Sequence, residues 1–298
     1  MKKILLTGSN GFVGQHIAPL LKNANYTVST LDIAHADIKT HLCSDVPLLN
    51  DTYDIILHAA GKAHAIPKTD AEKQEFFNVN YQGTVHVCKA LEQSGLPASF
   101  IFISTVAVYG CELGEDISED YPLSGDSPYA LSKIQAETFL TAWCERNQVV
   151  LTILRPALLV GPNPPGNLGA MIRGIQSGLY VHIAGGKAKK SMLMVQDLAN
   201  IVPFVAEKGG VYNLCDDTHP SFYQIAEIIA RQTGKKQPLS IPYPLAKTVA
   251  LCGDLFGSKA PINSAKLKKM TKSLTFSNRK AKESLNWQPL NVLDNFVL

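Results

Sequence analysis

Residues 7–14 read TGSNGFVG, and this stretch decides how the chain is expected to fold. Its glycines follow the apolar run 2–8 and open the helical pattern FVGQHIAPLLKN at 12–23. Glycines at this spacing permit a tight turn, let the backbone approach a pyrophosphate and let the helix pack closely on the strand. The helix N-terminus then offers N–H groups and partial positive charge to phosphates. The stretch predicts a dinucleotide site with contacts from Gly8, Asn10, Gly11, Phe12, Val13 and Gly14.

An acidic residue follows at the end of the second apolar run. Asp32 lies 18 residues after Gly14. A carboxylate at this place accepts the hydrogen bonds of an adenosine ribose diol and repels a 2′-phosphate, so it predicts NAD rather than NADP. The alternative interpretation is that Asp32 only initiates a loop.

Apolar runs alternate with helical patterns through the first half of the chain. Strands are predicted at 2–8, 26–33, 54–61, 99–105 and 149–156, and helices at 12–23, 72–94 and 129–146. Near-continuous apolar strands alternating with helices indicate an α/β fold, a Rossmann-type doubly wound parallel sheet covered on both faces. After Pro156 the helical patterns become shorter and mix with pieces such as GVYNLCD, which indicates a smaller mixed α/β lobe. We therefore expect a dinucleotide-binding domain at 1–160 and a mainly substrate-binding lobe at 161–298, from which the chain can cross back to the sheet.

Composition narrows the class of protein. The 298 residues are 46% hydrophobic and 18% charged, which is enough apolar material for a large core and excludes global disorder. Six widely spaced cysteines without a C-x-x-C pair indicate reduced thiols and no zinc site. No apolar stretch reaches the roughly 18 residues of a spanning helix, and the N-terminus lacks a signal peptide. We expect a cytoplasmic protein with neither a metal nor a membrane partner.

Charge is unevenly distributed near the C-terminus. Residues 259–282 contain eight Lys or Arg and no acid, whereas 112–120 contain five acids. The basic segment has three open interpretations: a phosphate-facing surface, a nucleic-acid patch or a solvated helix. It contains a single aromatic residue for stacking on bases, Phe276, so we do not expect a nucleic-acid partner.

Seven motifs together carry a resemblance to a known family. They are TGSNGFVG, Asp32, HAAG at 58–61, NVNYQGT at 78–84, FISTVAVYG at 102–110, SPYALSK at 127–133 and LRPALLVGP at 154–162. Their order resembles that of the extended short-chain dehydrogenases/reductases, and more narrowly the NAD-dependent nucleotide-sugar epimerases and dehydratases. The resemblance spans nearly the whole chain.

This resemblance implies roles for several residues. Thr105, Tyr129 and Lys133 match the catalytic group, with the adjacent Ser104 as a competitor for the role of Thr105. Asn80 matches the asparagine that helps to hold the active-site helix, and Ala59, Ala60, Gly61, Asn80, Tyr129 and Lys133 complete the cofactor contacts. A tyrosine titrates near 10, and a neighbouring ammonium together with the positive nicotinamide ring favours phenolate. We therefore expect a lowered pKa for Tyr129. Ser127 and Pro128 are expected to cap and begin its helix.

The resemblance also limits the reaction. Dehydratases of this family carry Asp-Glu after the catalytic threonine, where this chain has Val106 and Ala107, which cannot transfer protons. A nucleotide-sugar 4-epimerase acting through a 4-keto intermediate is expected. The alternatives are a reductase of a 4-keto-6-deoxy nucleotide sugar and a non-catalytic NAD-binding regulatory protein.

Further residues are expected to serve the substrate or the assembly. Asn167, Leu168 and Lys190, with Lys189 as a spare, are the expected contacts to the sugar diphosphate, and UDP is the default nucleotide. Asp197 is expected to cap a helix, and His58 and His64 to be cofactor-adjacent or surface residues rather than metal ligands. By resemblance, the helices at 72–94 and 129–146 pair across a homodimer.

Overall fold

The computed structural model describes residues 1–63, 65–257, 260 and 262–298. His64 and Lys259, which the sequence singled out, therefore lie outside the described residues. The strands are β1 Lys3–Thr7, β2 Thr27–Asp32, β3 Ile38–Lys39, β4 Ile55–His58, β5 Ser99–Ile103, β6 Gly114–Ile117, β7 Val150–Pro156, β8 Leu158–Val160, β9 His182–Ile183, β10 Met192–Met194, β11 Gly210–Leu214, β12 Ser240–Ile241 and β13 Leu274–Phe276.

The helices are α1 Phe12–Asn23, α2 Asp70–Phe76, α3 Gly83–Ser94, α4 Pro128–Asn147, α5 Gly166–Gln176, α6 Asp197–Asn200, α7 Val202–Val205, α8 Phe222–Gln232, α9 Tyr243–Asp254, α10 Ser264–Thr271, α11 Arg279–Leu285 and α12 Val292–Asn295. The helix predicted at 72–94 is not continuous: a π-helical stretch, Phe77–Gln82, joins α2 to α3. Wider π-helical turns often occur at functional sites, and this one carries Asn80.

A seven-stranded sheet has the order β11-β7-β5-β4-β1-β2-β3. Its pairs are parallel, as the apolar strands predicted. The strand order reverses direction between β1 and β4, and crevices at such a point hold ligands in open α/β sheets. The piece GVYNLCD forms β11, which returns to this sheet beside β7 instead of staying in the second lobe.

Two cores cover the two faces of the sheet because alternate side chains of a strand point to opposite faces. Ile4 and Leu6 of β1 pack in one core with α1, α6, α7 and Trp287. Leu5, between them, packs in the other core with α3 and α4. The sheet is thus buried on both sides, which is the physical reason for its uninterrupted apolar strands.

The second lobe has its own core around α5 and α8. Short parallel pairs, β8 with β10 and β9 with β12, link its loops. β13 pairs with β6, so the basic C-terminal segment lies against the acidic segment 112–120. Among the residues that the structure describes, no helix is long and apolar enough to cross a membrane.

Candidate active site

The glycine loop between β1 and α1 has no room for a side chain at Gly8 or at Gly14. Gly8 has φ +72°, and a Cβ there would lie 2.6 Å from the backbone of Ala60. A Cβ on Gly14 would lie 2.3 Å from the carbonyl oxygen of Gly8. No side chain caps α1, and its first turn contains no acid, so its N–H groups remain open to an anion. The loop therefore has the shape and polarity that a dinucleotide pyrophosphate needs.

Asp32 holds this loop at the end of β2. Its Oδ2 accepts a hydrogen bond from the Asn10 N–H at 2.8 Å, and its Oδ1 accepts one from the Ile33 N–H at 2.7 Å. Asn10 also donates to the carbonyl of Ala34. A carboxylate oxygen has two lone pairs, so both oxygens can still accept from a ribose diol.

The loop after β4 meets the active-site helix through Asn80. Asn80 is fully buried; its Oδ1 accepts from the Lys62 N–H at 2.6 Å, and its Nδ2 donates to Ser132 Oγ at 2.9 Å. A Cβ on Gly61 would lie 3.2 Å from both Asn80 Oδ1 and Lys133 Nζ. Asn80 therefore connects the 59–63 loop to α4, and Gly61 allows the loop to approach Lys133.

His58 is neither a surface residue nor a metal ligand. It is fully buried, and its ring nitrogens contact Thr7 Oγ1 at 2.6 Å and Thr84 Oγ1 at 3.0 Å. Thr84 in turn donates to the carbonyl of Asn80 at 2.6 Å. Burial, with a smaller effect from Lys133, lowers the pKa of His58 to about 3, so this histidine is neutral. Of the two positions expected for His58, the surface one is wrong, because the ring is buried at the carboxyl end of β4 and stacks on Phe102; the cofactor-adjacent one stays a prediction.

The helix α4 begins as its sequence predicts. Ser127 Oγ accepts from the Ala130 N–H at 3.1 Å, and Pro128 is the first helical residue. The next residue, Tyr129, is half-buried, and Lys133 follows one turn later with only 4% of its surface exposed. Lys133 Nζ donates to the Ile103 carbonyl at 2.8 Å and lies 4.5 Å from the centre of the Phe102 ring. Burial lowers the pKa of Lys133 to about 8.

We expect a lowered pKa for Tyr129 beside Lys133 and a nicotinamide ring, but the protein chain by itself raises this pKa. Burial raises the pKa of Tyr129, and a hydrogen bond with Thr105 offsets this only in part. Lys133 directs its ammonium to the end of β5, so it does not overcome the cost of removing the phenolate from water. The bond from Lys133 to Ile103, two residues before Thr105, does bring the first turn of α4 next to the end of β5.

Ser104 is excluded from that relay by its own partner. It is 3% exposed and donates to Glu137 Oε1 of α4. Thr105 is half-buried, and its Oγ1 accepts from the Ala107 N–H at 3.1 Å. Thr105 thus keeps its hydroxyl proton for another acceptor. The geometry favours Thr105 over Ser104 for contact with a substrate.

The sequence did not predict the ionic network behind this site. Arg155 Nη2 lies 2.6 Å from Glu137 Oε2, and both side chains are about 95% buried, at 6% and 4% exposure. Arg155 Nη1 donates to Tyr109 Oη at 2.9 Å, which donates to Asn213 Oδ1 at 2.7 Å. This network joins α4 to β7 and β11. Its only signal in the sequence is that Arg155 stands inside an apolar strand, where a charge needs a partner.

The three residues expected to contact the substrate differ in their exposure to solvent. Asn167 is exposed near the start of α5. The Leu168 side chain is 3% exposed in the core of the second lobe, so only its backbone is left for a ligand. Lys190 is half-buried, with its N–H bonded to the carbonyl of Pro220 and its backbone bridged to Leu274 of β13. Burial and the neighbouring Lys269 lower the pKa of Lys190.

Asp197 does not cap a helix. It is the first residue of α6, fully buried, and its Oδ2 accepts from the Leu290 N–H at 3.0 Å. Asp216 similarly accepts from the Val292 N–H at 3.2 Å. Burial raises the pKa of Asp197 to about 6, and the charge of Asp216 adds to the shift. These two aspartates therefore hold the C-terminal segment; they are structural.

The described part of the basic segment is engaged within the protein. Lys268 and Lys269 lie 3.4 Å from Glu112, and Lys282 lies 2.7 Å from Asp217. Phe276 is 3% exposed and stacks on Tyr109, so it cannot stack on a base. These contacts explain the opposite charges of the two segments as mutual packing.

A family model described as the NAD dependent epimerase/dehydratase family matches residues 4–215. The chain belongs to that family. It is accordingly an NAD-dependent enzyme, and the resemblance inferred from its seven motifs is confirmed. The family's range of epimerases, reductases and dehydratases sets the alternatives for its reaction.

Relatives in this family act on differently carried sugars. The chain is 27% identical to the N-acetyl-alpha-D-glucosaminyl-diphospho-ditrans,octacis-undecaprenol 4-epimerase of Escherichia coli O157:H7, covering 94% of this chain and 89% of that protein. It is 27% identical to the UDP-glucose 4-epimerase of Vibrio cholerae, covering 98% and 92%. The GDP-6-deoxy-D-mannose reductase of Pseudomonas aeruginosa is 25% identical, covering 77% and 79%.

The fold agrees with solved members of the family. RMD from Pseudomonas aeruginosa, complexed with NADPH, superimposes with a TM-score of 0.75 at 21% identity, covering 98% of this chain and 95% of that one. This likeness confirms the Rossmann-type α/β fold.

Proposed function

We propose that this enzyme is an NAD-dependent 4-epimerase of a nucleotide sugar, a UDP-hexose or a UDP-N-acetylhexosamine, and that it acts through a transient 4-keto intermediate. The observation that supports the proposal is that Tyr129 stands one helical turn before the buried Lys133, whose Nζ donates to the carbonyl of Ile103, two residues before Thr105. Val106 and Ala107, the next residues after Thr105, offer no acid or base for removing water. The site is thus equipped for oxidation and reduction at one carbon.

The bound NAD would lie along Gly8–Gly14, Asp32, Ala59–Gly61 and Asn80. When bound, it supplies the hydride acceptor and donor, and its positive ring supplies charge beside Tyr129. Thr105 would hydrogen-bond the 4-hydroxyl of the sugar, and Tyr129 would accept the proton of that hydroxyl in the oxidative half of the cycle. In the reductive half, Tyr129 would return the proton to the same oxygen, so that the enzyme gains and loses no proton over a full cycle.

Lys133 raises the acidity of Tyr129 during this cycle. Its pKa of about 8 keeps it mostly charged at neutral pH. Because burial raises the pKa of Tyr129, the phenol needs the positive charge of both Lys133 and the nicotinamide ring to lose its proton. Thr105, which is half-buried and whose hydroxyl proton is left for another acceptor, is the proposed relay to the substrate.

Lys190 is the proposed diphosphate partner. Burial, with a smaller effect from Lys269, lowers its pKa, and a diphosphate would stabilise the charged form of this half-buried lysine. A lysine provides point charge here without the bidentate geometry of arginine. Asn167 and the backbone of Leu168, at the start of α5, remain proposed contacts to the same diphosphate.

A reductase of a 4-keto-6-deoxy nucleotide sugar is the second candidate. It would use the same Thr105, Tyr129 and Lys133, and it is supported by the 25% identity to a GDP-6-deoxy-D-mannose reductase. A non-catalytic NAD-binding regulator is disfavoured because such a protein has no need of the Tyr129–Lys133 pair.

A substrate panel separates these candidates. The purified enzyme is incubated with UDP-glucose, UDP-N-acetylglucosamine and a UDP-4-keto-6-deoxy sugar, each with and without NADH. Conversion of a 4-hydroxy sugar without added NADH supports the epimerase. Consumption of NADH with the keto sugar alone, and no epimerisation, would replace it with the reductase.

The setting of the enzyme belongs to the same proposal. We infer a cytoplasmic homodimer that serves polysaccharide biosynthesis, paired through α2–α3 and α4. A groove of about 380 Å³ lies between α2, the π-helical stretch and α4, and it is lined by Gln74, Phe77, Asn78, Tyr81, Gln82 and Gln135. Light scattering of the purified protein and of Tyr81→Glu tests the pairing: the parent should have twice the mass of the chain, and the variant should dissociate.

A further inference from the structure

The helix α9 presents an exposed apolar face. Leu245, Val249 and Leu251 are 57%, 49% and 56% exposed. Leu255 and Phe256, in the turn that follows, are 87% and 72% exposed. We call these five residues the α9 apolar face. Isolated exposed apolar residues are common, but five within twelve positions form a surface that calls for a partner.

The face covers one side of α9. At about 100° per residue, Leu245 and Val249 share one row, and Leu251 lies about 120° from Leu245 on the exposed side. Leu255 and Phe256 continue this surface in the turn after the helix. The opposite side, Ala246 and Ala250, is buried against α10 and β9. Small alanines anchor the helix, whereas its large apolar residues point to solvent. This arrangement is the reverse of an ordinary surface helix, which buries its large apolar residues.

The segment that carries this face is basic. Residues 235–272 contain eight lysines and one acid, Asp254. Lys268 and Lys269 are paired with Glu112, whereas Lys235, Lys236, Lys247 and Lys272 are exposed. Asp254 is engaged at the start of α10, where it accepts from the Ser264 N–H at 2.8 Å and from Ser264 Oγ at 2.6 Å. Lys247 lies on α9 itself, fully on the surface, at the border of the apolar rows.

The same unit lies next to the proposed diphosphate partner. α9 and α10 pack on Ile183 of β9, at the start of the segment that leads to Lys190. Lys269 of α10 is close enough to lower the pKa of Lys190. A surface formed by α9 and α10 is therefore adjacent to the substrate side of the enzyme.

We propose that the α9 apolar face and its lysines dock the enzyme onto the surface of an anionic lipid bilayer. An interfacial helix needs a wide apolar face with lysines at its border, and anionic lipids add attraction for each lysine near the surface. A soluble acidic protein would match the charge, but it would leave Leu255 and Phe256, the most exposed residues of the face, without an apolar phase to enter. The enzyme lies on the membrane and does not span it. This proposal rests on the surface alone and is independent of the reaction proposed above.

Vesicle sedimentation tests the proposal with the full-length chain. The parent and the double variant Leu255→Ser/Phe256→Ser are mixed with vesicles of phosphatidylcholine, either pure or containing phosphatidylglycerol, at low and high salt. Leu48→Ser/Leu96→Ser, which removes two exposed leucines (76% and 46% exposed) from loops of the Rossmann half, is the matched control. Retained NADH binding, measured by fluorescence, shows that each variant is folded.

The parent and the control should sediment with the phosphatidylglycerol vesicles, and they should bind more weakly at high salt. The double variant should bind about tenfold less, because it lacks the two apolar side chains that would enter the bilayer. Failure of the parent to sediment would overturn the proposal. Equal binding by the double variant would also overturn it. If the parent does not bind vesicles but self-associates through this face, so that the double variant halves its mass in light scattering, the occupant is a second copy and the proposal is wrong.

Discussion

Asn80 Nδ2 donates a hydrogen bond to Ser132 Oγ at 2.9 Å, although the two residues are 52 positions apart in the sequence. This bond joins the π-helical stretch to α4 immediately before Lys133. Asn80 also grips the loop that follows β4 through both Lys62 N and Lys62 O. We infer that it is a positioning residue, since its amide ties the turn of α4 that precedes Lys133 to the cofactor loop.

Asn80→Ala should lower kcat and displace the acid limb of its pH profile to higher pH, because Lys133 is no longer held near Tyr129. Removing these buried hydrogen bonds should also cost about 1–3 kcal/mol of unfolding free energy. Ser132→Ala loses a single bond to Asn80 and should show a smaller change of both kinds. A variant that lost stability while keeping the parent pH profile would show that Asn80 is merely structural.

Tyr129→Phe should lower kcat by about 10³-fold, since the proton acceptor is removed and the fold is kept. The dissociation constant for NADH, measured by fluorescence quenching, should remain close to that of the parent. Tyr121→Phe, an exposed tyrosine near the same helix, serves as the control and should retain full activity. Turnover by Tyr129→Phe at the parent rate would contradict the proposed proton transfer.

Lys133→Met should change both limbs of the pH–rate profile. One positive charge fewer disfavours phenolate, so the acid limb set by Tyr129 moves to higher pH. The parent should also lose activity as pH rises through the Lys133 pKa of about 8, because the neutral amine no longer supports the phenolate, and the variant should lack this limb. The control Lys73→Met removes an exposed lysine paired with Asp70 at 2.7 Å and should leave the profile unchanged.

Glu137→Gln should destabilise the enzyme more than any surface charge change. It leaves the Arg155 guanidinium buried without its carboxylate, and such a loss costs about 3–5 kcal/mol. Urea unfolding should show a lower midpoint, with partial recovery in Glu137→Gln/Arg155→Met, which removes both charges. Lys2→Met breaks the exposed pair with Glu207 and should leave the midpoint unchanged. An unchanged midpoint in Glu137→Gln would show that the buried pair adds nothing.

Asp197→Asn should flatten the pH dependence of stability. The folded-state pKa of Asp197 is raised from 3.8 to about 6, so the folded protein holds this proton more tightly than the unfolded chain. The contribution of Asp197 to the free energy of unfolding is therefore largest below pH 3.8. It falls by about 3 kcal/mol as the pH rises from 3.8 through about 6. Unfolding free energies of parent and variant, measured across this window, should diverge with increasing pH in favour of the variant. Parallel curves would show that Asp197 does not titrate there.

The sequence of TGSNGFVG and its neighbouring strands was sufficient to predict the parallel sheet, because glycine spacing and uninterrupted apolar runs are local signals. Ser127 and Pro128 were likewise readable as the start of α4. The position of Thr105, Tyr129 and Lys133 in one group came from resemblance to the family, since no local rule joins residues on a loop and on a helix.

Only the tertiary structure decided which polar groups face each other in the interior. In the structure Ser104 donates to Glu137, and Glu137 pairs with Arg155. Burial within the chain raises the pKa of Tyr129, against the effect expected from Lys133 and the nicotinamide ring. Asp197, which was expected to cap a helix, instead accepts from the Leu290 N–H in the C-terminal segment. The exposure of the α9 apolar face is of the same kind, since its residue pattern is compatible with burial. Burial sets the cost of a charge, and it depends on contacts between residues far apart in the chain, so a linear sequence determines the elements but not these energies.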